Sequence, residues 1–286
     1  KTQGRCLLLE LNRNEHIFQG NQFINCNIPN PSGDSSMALI KIKFRQTISN
    51  TLIFRDFIFD NCLINESKGY ASLVFIQNSN NRGYPMPFTL QMERCTFTQI
   101  SSNQRGGGFQ LGGTSNRFGN QMNYNAYTSL NLNNCTFAHN YTPKEGGAIS
   151  LIVLSPIIIT NCIFRNNTGS QGAVFYIRTL FNNEYLPNCT ITNCTFIENE
   201  DINSSTNSVL YFDNLWQEES ETDIVISKCT FYNNLKSHSN NGYCISGPAR
   251  SFTIEGNHFN NDNNLDSSCT AFFTQRRSML NFSNNY

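Results

Sequence analysis

Between residues 94 and 234 the chain writes nearly the same word again and again: RCTFTQI from Arg94, NCTFAHN from Asn134, NCIFRNN from Asn161, NCTFIEN from Asn193 and KCTFYNN from Lys228. A word that returns at near-regular intervals is the mark of a solenoid, whose single turn cannot bury its apolar face without the turns above and below it. With the cysteine taken as position zero, equivalents fall at Asn21, Cys62, Cys95, Cys135, Cys162, Cys194, Cys229, Asn257 and Asn285, at gaps of 41, 33, 40, 27, 32, 35, 28 and 28 residues. The shortest gaps define the unit, and the excess elsewhere is loop insertion.

Position minus five carries Phe57, Leu90, Leu130, Ile157, Cys189, Ile224, Phe252 and Leu280; minus three carries Phe18, Phe59, Met92, Leu132, Ile159, Ile191, Ile226, Ile254 and Phe282. Spacing by two places both columns on one face of a strand. The step from minus three to zero breaks that alternation, so the chain bends there and a second strand begins with positions zero and plus two inward. Phe23, Ile64, Phe97, Phe137, Phe164, Phe196, Phe231 and Phe259 fill plus two. A third strand is read in GGGFQL from Gly106, GGAISL from Gly146, QGAVFYI from Gln171, NSVLYF from Asn207 and YCISG from Tyr243. The expected fold is all-β: a right-handed parallel β-helix of about nine coils, three short strands per coil and variable loops, forming one domain over residues 1–286. Beginning at Lys1 and stopping inside a repeat, the chain reads as a piece of a longer repeat protein.

The pairing of FxxN with GGA[ILV] resembles the polymorphic outer membrane protein repeat, within the broader pectate-lyase-like β-helix superfamily. Phe137 to Asn140 with Gly146 to Ile149 carry the full pattern, Phe164 to Asn167 with Gln171 to Val174 carry it with Gln for the first Gly, and Phe196, Asn199, Phe231 and Asn234 carry its first half. The resemblance implies the fold and a secreted or cell-surface setting, and no substrate.

Eleven cysteines would suggest disulfides in an extracellular chain, but their places argue for core filling. Cys62, Cys95, Cys135, Cys162, Cys194 and Cys229 form the position-zero column, Cys189 sits among Ile and Leu at minus five, and Cys6 and Cys244 fit the small-residue slot of Ala148, Ala173 and Ser208. Neighbouring zero positions are about 4.8 Å apart, within Cα reach of a disulfide, but their side chains run parallel rather than toward each other. The column is therefore read as free stacked thiols. Cys26 and Cys269 fit the inward columns less well and are the first places to look for a bridge. No CxxC occurs and His16, His139, His238 and His258 are scattered, so neither a metal nor a cofactor is expected.

Lys plus Arg equal Asp plus Glu, 20 against 20, which leaves no basic stripe for nucleic acid. The longest apolar run, AISLIVLSPIIIT, is broken by Ser155 and Pro156 and is too short to span a membrane. Glycoside hydrolysis needs two carboxyl groups on one surface; the best pair is Asp56 with Asp60 in FRDFIFDNC, read as outward on one strand, and the other acidic residues cluster in the loop stretches QEESETD and NDNNLD. No catalytic residue is expected. Sequons stand at Asn65, Asn134, Asn140, Asn166, Asn188, Asn193, Asn203 and Asn281. Asn188 and Asn281 face out by alternation, Asn203 lies in a loop, and Asn65 and Asn166 sit in turns. Asn140 belongs either to this set or to an inward stack at plus five with Asn167, Asn199 and Asn234. The reading is a non-catalytic extracellular or cell-surface structural glycoprotein, a rod that stacks through its ends into a filament or forms an adhesive coat. Its expected partners are copies of itself, N-linked glycans and surface polysaccharide. The alternative is a carbohydrate-binding or polysaccharide-degrading β-helix, with Tyr84, Phe118, Tyr124, Tyr127 and Trp216 on loops that wall a groove.

Overall fold

The structure is a computed structural model, and it describes residues 7–11, 15–28, 36–44, 50–65, 70–77, 88–103, 105–111, 128–153, 156–179, 188–202, 208–214, 222–235, 242–260, 270–273 and 279–286. Every regular element among them is a β-strand, and no helix is long and apolar enough to cross a membrane. The strands stack in parallel sheets, as in a β-solenoid. The first sheet orders Glu15–Gln19, Asn50–Arg55, Phe88–Glu93, Thr128–Asn133, Ile157–Thr160, Cys189–Thr192, Asp223–Ser227, Ser251–Glu255 and Met279–Ser283 in chain sequence. A second sheet of eight three-residue strands runs beside it, from Gln22–Ile24 to His258–Asn260. A third orders Phe109–Leu111, Ile149–Val153, Phe175–Thr179, Ser208–Asn214, Tyr243–Ser246 and Thr270–Phe273. Leu7–Leu11, Ser36–Phe44 and Tyr70–Gln77 pair separately. Two-residue strands such as Leu63–Ile64 and Thr168–Gly169, which periodicity did not reveal, follow the second sheet.

Pairing registers corroborate the inward columns from the third coil onward: Leu90 lies over Leu130, Met92 over Leu132 and Phe97 over Phe137. They correct the second coil. Leu52 and Phe54, not Phe57 and Phe59, lie beside Leu90 and Met92, and Phe59 stacks on Phe97. Position zero of that coil is therefore Phe57, and Cys62 belongs five residues later, in line with Cys26 before it and Ile100 after it. The small-residue slot shifts likewise. Ile149 pairs with Phe175, which pairs in turn with Leu210, so Ala148 aligns with Val174, Val209 and Cys244, while Ala173 and Ser208 sit one residue earlier.

Two tight corners explain why the word is so constant. The residue before position zero has left-handed backbone in every coil, with φ between 52 and 72° at Gly20, Asp56, Arg94, Asn134, Asn161, Asn193, Lys228, Gly256 and Asn284. A second left-handed residue, φ 49 to 56°, occupies plus four at Asn25, Asn61, Gln99, His139, Asn166, Glu198 and Asn233. Gly and Asn tolerate this conformation best, which accounts for much of the asparagine in the repeat. Between the corners, the plus-two rings of Phe23, Phe59, Phe97, Phe137, Phe164, Phe196, Phe231 and Phe259 form one continuous stack, each centroid 4.5 to 5.2 Å from the next. The third strand needs its leading glycine for space as well as for backbone freedom. At Gly146 and Gly172, with φ of 73 and 76°, a Cβ would collide with the carbonyl oxygens of Ile149 and Phe175.

Candidate functional site

Most corners turn an inward side chain into a rung of a hydrogen-bond ladder. At plus five, the Asn140 backbone N–H and its Nδ2 both donate to Asn167 Oδ1, at 3.2 and 2.9 Å, and Asn140 Nδ2 also donates to the Phe97 carbonyl at 3.0 Å. The pattern repeats through Asn167, Asn199 and Asn234. At position zero the cysteines copy it with sulfur. The N–H groups of Cys135, Cys162 and Cys194 donate to the sulfur one coil on, at 3.4 to 3.5 Å, and the Cys135 thiol donates back to the Met92 carbonyl at 3.4 Å. The column then passes to asparagine without a break: Cys229 N–H donates to Asn257 Oδ1 at 2.8 Å, and Asn257 Nδ2 to the Ile226 carbonyl at 2.9 Å. Cysteine and asparagine thus do the same work, satisfying backbone groups that a bend would otherwise leave buried and unpaired.

Cys95, Cys135, Cys162, Cys194 and Cys229 are free and buried in one column; Cys62 is also free and buried, but in the plus-five column, where its thiol donates to the Phe23 carbonyl at 3.5 Å. Cys26 is free and half-buried against the core in that same column, not outside it. Among the described residues Cys244 is disulfide-bonded, and its partner is none of the eight free cysteines. Cys6 and Cys269 lie outside the described residues. Burial pushes the Cys189 thiol up to about 12 and, as the foremost cause, Cys62 up to about 12; hydrogen bonding to the Cys135 thiol and burial push Cys95 up as well. A thiol enclosed in the core at 1 to 2% exposure is out of a reagent's reach. Maleimide applied to the native protein is expected to modify Cys26 first and to leave Cys95, Cys135, Cys162, Cys189, Cys194 and Cys229 untouched until denaturant is added. Prompt native labelling of the column would contradict the packing.

The same geometry sorts the sequons. Asn140 is 1% exposed with its Nδ2 committed twice, so no glycan fits on it. Asn193 stands at an exposed corner but donates its Nδ2 to Asn161 Oδ1 at 2.6 Å. Asn166, on a plus-four corner, is half-buried. Asn65, Asn134, Asn188 and Asn281 are exposed with side-chain Nδ2 free of hydrogen bonds among the described residues, though Asn65 Oδ1 accepts one from Asn103. Asn203 lies outside the described residues. Peptide mapping of native material is expected to find glycan on some of Asn65, Asn134, Asn188 and Asn281 and none on Asn140; modified Asn140 would mean the plus-five ladder is not formed.

Asp56, Asp60, Glu145 and Asp213 are engaged. Asp56 and Asp60 are not partners on one strand, because the corner at Asp56 separates them. Asp56 accepts Arg94 Nε at 2.7 Å and Gln19 Nε2 at 2.9 Å, and those hydrogen bonds, Arg94 first, hold its carboxyl below the usual range, while Asp60 accepts the Thr98 hydroxyl at 2.7 Å. On the outer face of the third sheet, Arg105 pairs with Glu145 through two 2.9 Å contacts, and Asp213 accepts Arg178 and, at 2.6 Å, the Tyr176 hydroxyl. Both guanidinium groups lie against the Tyr176 ring, at 5.8 and 5.2 Å from its centroid. Burial pushes the phenol well above its ordinary range, so Tyr176 keeps its proton and the network acts as a buttress. Among the described residues no group of three or more His, Cys, Asp or Glu is placed to hold a metal ion. Tyr84, Phe118, Tyr124, Tyr127 and Trp216 lie outside the described residues. No family model, curated protein or solved structure matches the chain.

Proposed function

We propose that the chain is a non-catalytic structural glycoprotein of the cell surface or extracellular space, a right-handed parallel β-helical rod of about nine coils that associates with copies of itself. The observation that carries the reading is the use of chemistry-bearing side chains for cohesion: cysteine and asparagine make ladders, and the acidic side chains of Asp56, Asp213 and Glu145 make ion pairs with arginine. A disulfide at Cys244 suits an oxidising compartment. Among the described residues the outermost strands of the first sheet, Glu15–Gln19 and Met279–Ser283, each pair on one side only, and a strand edge that stays open in the whole rod templates pairing with another chain. Head-to-tail contact that does not close makes a fibre. Electron microscopy of the protein taken from its source without denaturant tests this: nine coils at about 4.8 Å predict an axial rise of roughly 43 Å. Isolated rods at every concentration would sink the filament. The second reading, a carbohydrate-binding protein, is favoured by one polar concavity on the first sheet.

A further inference from the structure

The outward side chains of three neighbouring strands form a grid of two columns and three rows. Gln91, Asn131 and Ile158 lie side by side in one column, Glu93, Asn133 and Thr160 in the other. The outer rows carry longer or branched side chains and the middle row carries only two short asparagines, so a notch opens along the strand Thr128–Asn133, with Gln91 and Glu93 as one wall and Ile158 and Thr160 as the other. All six residues line a concavity of about 210 Å3.

Its chemistry is selective. The side-chain amides of Gln91 and Asn131, both half-buried, make no hydrogen bond among the described residues, leaving donors and acceptors one coil apart and aimed into the same space. Asn133 uses its Oδ1 to accept from the Thr160 hydroxyl at 3.2 Å and Asn161 at 3.0 Å, which fixes that side of the floor and leaves its Nδ2 for a ligand. Glu93 is neutralised by Arg55 at 2.7 Å. Ile158, 43% exposed, supplies a rigid apolar wall. Amides that offer a donor and an acceptor together suit vicinal hydroxyls, and an aliphatic wall suits the C–H face of a pyranose ring. Among the described residues no unpaired cation lines the notch, which disfavours acidic ligands. At about 210 Å3 the notch is smaller than the roughly 300–1,000 Å3 of drug-sized pockets, so it takes one ring and not a polymer segment.

We infer that this notch is a binding site for a single neutral sugar unit, such as the terminal hexose or N-acetylhexosamine of a glycan. The inference rests on the carbohydrate-binding reading and is independent of filament formation: a rod that never assembles can still bind sugar, and an assembled rod can fail to. An open notch with few contacts gives weak affinity, a Kd on the order of 1–10 mM.

Saturation-transfer NMR on the purified protein tests it, with the methyl glycosides of glucose, galactose, mannose and N-acetylglucosamine as probes and galacturonate as the charged control. At least one neutral glycoside is expected to receive saturation, and galacturonate is not. Asn131→Ile fills the notch from a surface position and is expected to weaken binding by at least about tenfold, whereas Thr253→Ile, in the same column of the first sheet four coils on, leaves it unchanged. Gln91→Ala removes a wall without touching the core and gives a second variant, expected to weaken binding about threefold or more. Silence from all four glycosides, equal binding by Asn131→Ile and wild type, or galacturonate binding as strong as galactoside binding would each overturn the assignment.

Discussion

Cys162→Asp is expected to lower the melting temperature by roughly 10 °C or more, while Cys162→Asn lowers it far less. Cys162 is 1% exposed, accepts the Cys135 N–H through its sulfur and donates its thiol hydrogen to the Thr160 carbonyl at 3.1 Å. Aspartate can accept the N–H but has no hydrogen to give, and it places a charge among Cys135, Cys194 and the Phe stack. An unpaired buried charge costs on the order of 4 kcal/mol or more, against a total stability of about 5–15 kcal/mol, and each kcal/mol moves the midpoint of a chain this size by roughly 2–4 °C. Asparagine has the same shape without the charge, and it already fills this column at Asn257 and Asn285, where Oδ1 accepts the N–H one coil back and Nδ2 donates to a carbonyl. Its cost is the extra volume, about 1–2 kcal/mol. The difference between the two variants isolates the charge and the missing donor. Identical melting curves for Asp and Asn would mean that position zero does not face inward.

Phe164→Ala is expected to cost about 3–5 kcal/mol, the range for emptying a buried aromatic site. Its ring is fully buried, parallel to Phe137 and Phe196 at 5.2 Å on each side and edge-on to Phe175 at 4.8 Å. Solenoid coils touch only their neighbours, so the cavity cannot be closed by collapse from a distance: the backbone ladders on both sides hold the coil spacing. Phe164→Leu keeps most of the volume and is expected to lose less than half as much. Chemical denaturation with fluorescence and circular dichroism as separate probes checks both; a Phe164→Ala midpoint within error of wild type would refute the continuous stack.

The inward columns from the third coil onward were legible because strand alternation and the recurring Phe leave few registers that bury the apolar set. The second coil was misread for a physical reason. Both corners share one grammar, a polar left-handed residue followed by a small inward one: Asn134 with Cys135 at the first corner, Asn61 with Cys62 at the second. Locally the two are alike, and only the pairing of Leu52 with Leu90 and of Phe59 with Phe97 says which corner a given Asn-Cys belongs to. The same error put Asp56 and Asp60 on one strand. The notch went unseen because it depends on which three outward pairs become neighbours, and Asn133 and Thr160 are separated in the chain by a whole coil of 27 residues.

The repeat word by itself determined the parallel β-solenoid, the inward Phe column and the burial of most cysteines, because period-two burial and left-handed Asn corners are local properties of the chain. Only the tertiary structure decided which corner each Cys and Asn occupies, that thiols and amides continue one ladder, that Asn140 is closed to glycan while Asn134 is open, and where a polar notch forms. Those facts depend on the register between coils, which is fixed by backbone hydrogen bonds and ring stacking across 27 to 43 residues of intervening sequence.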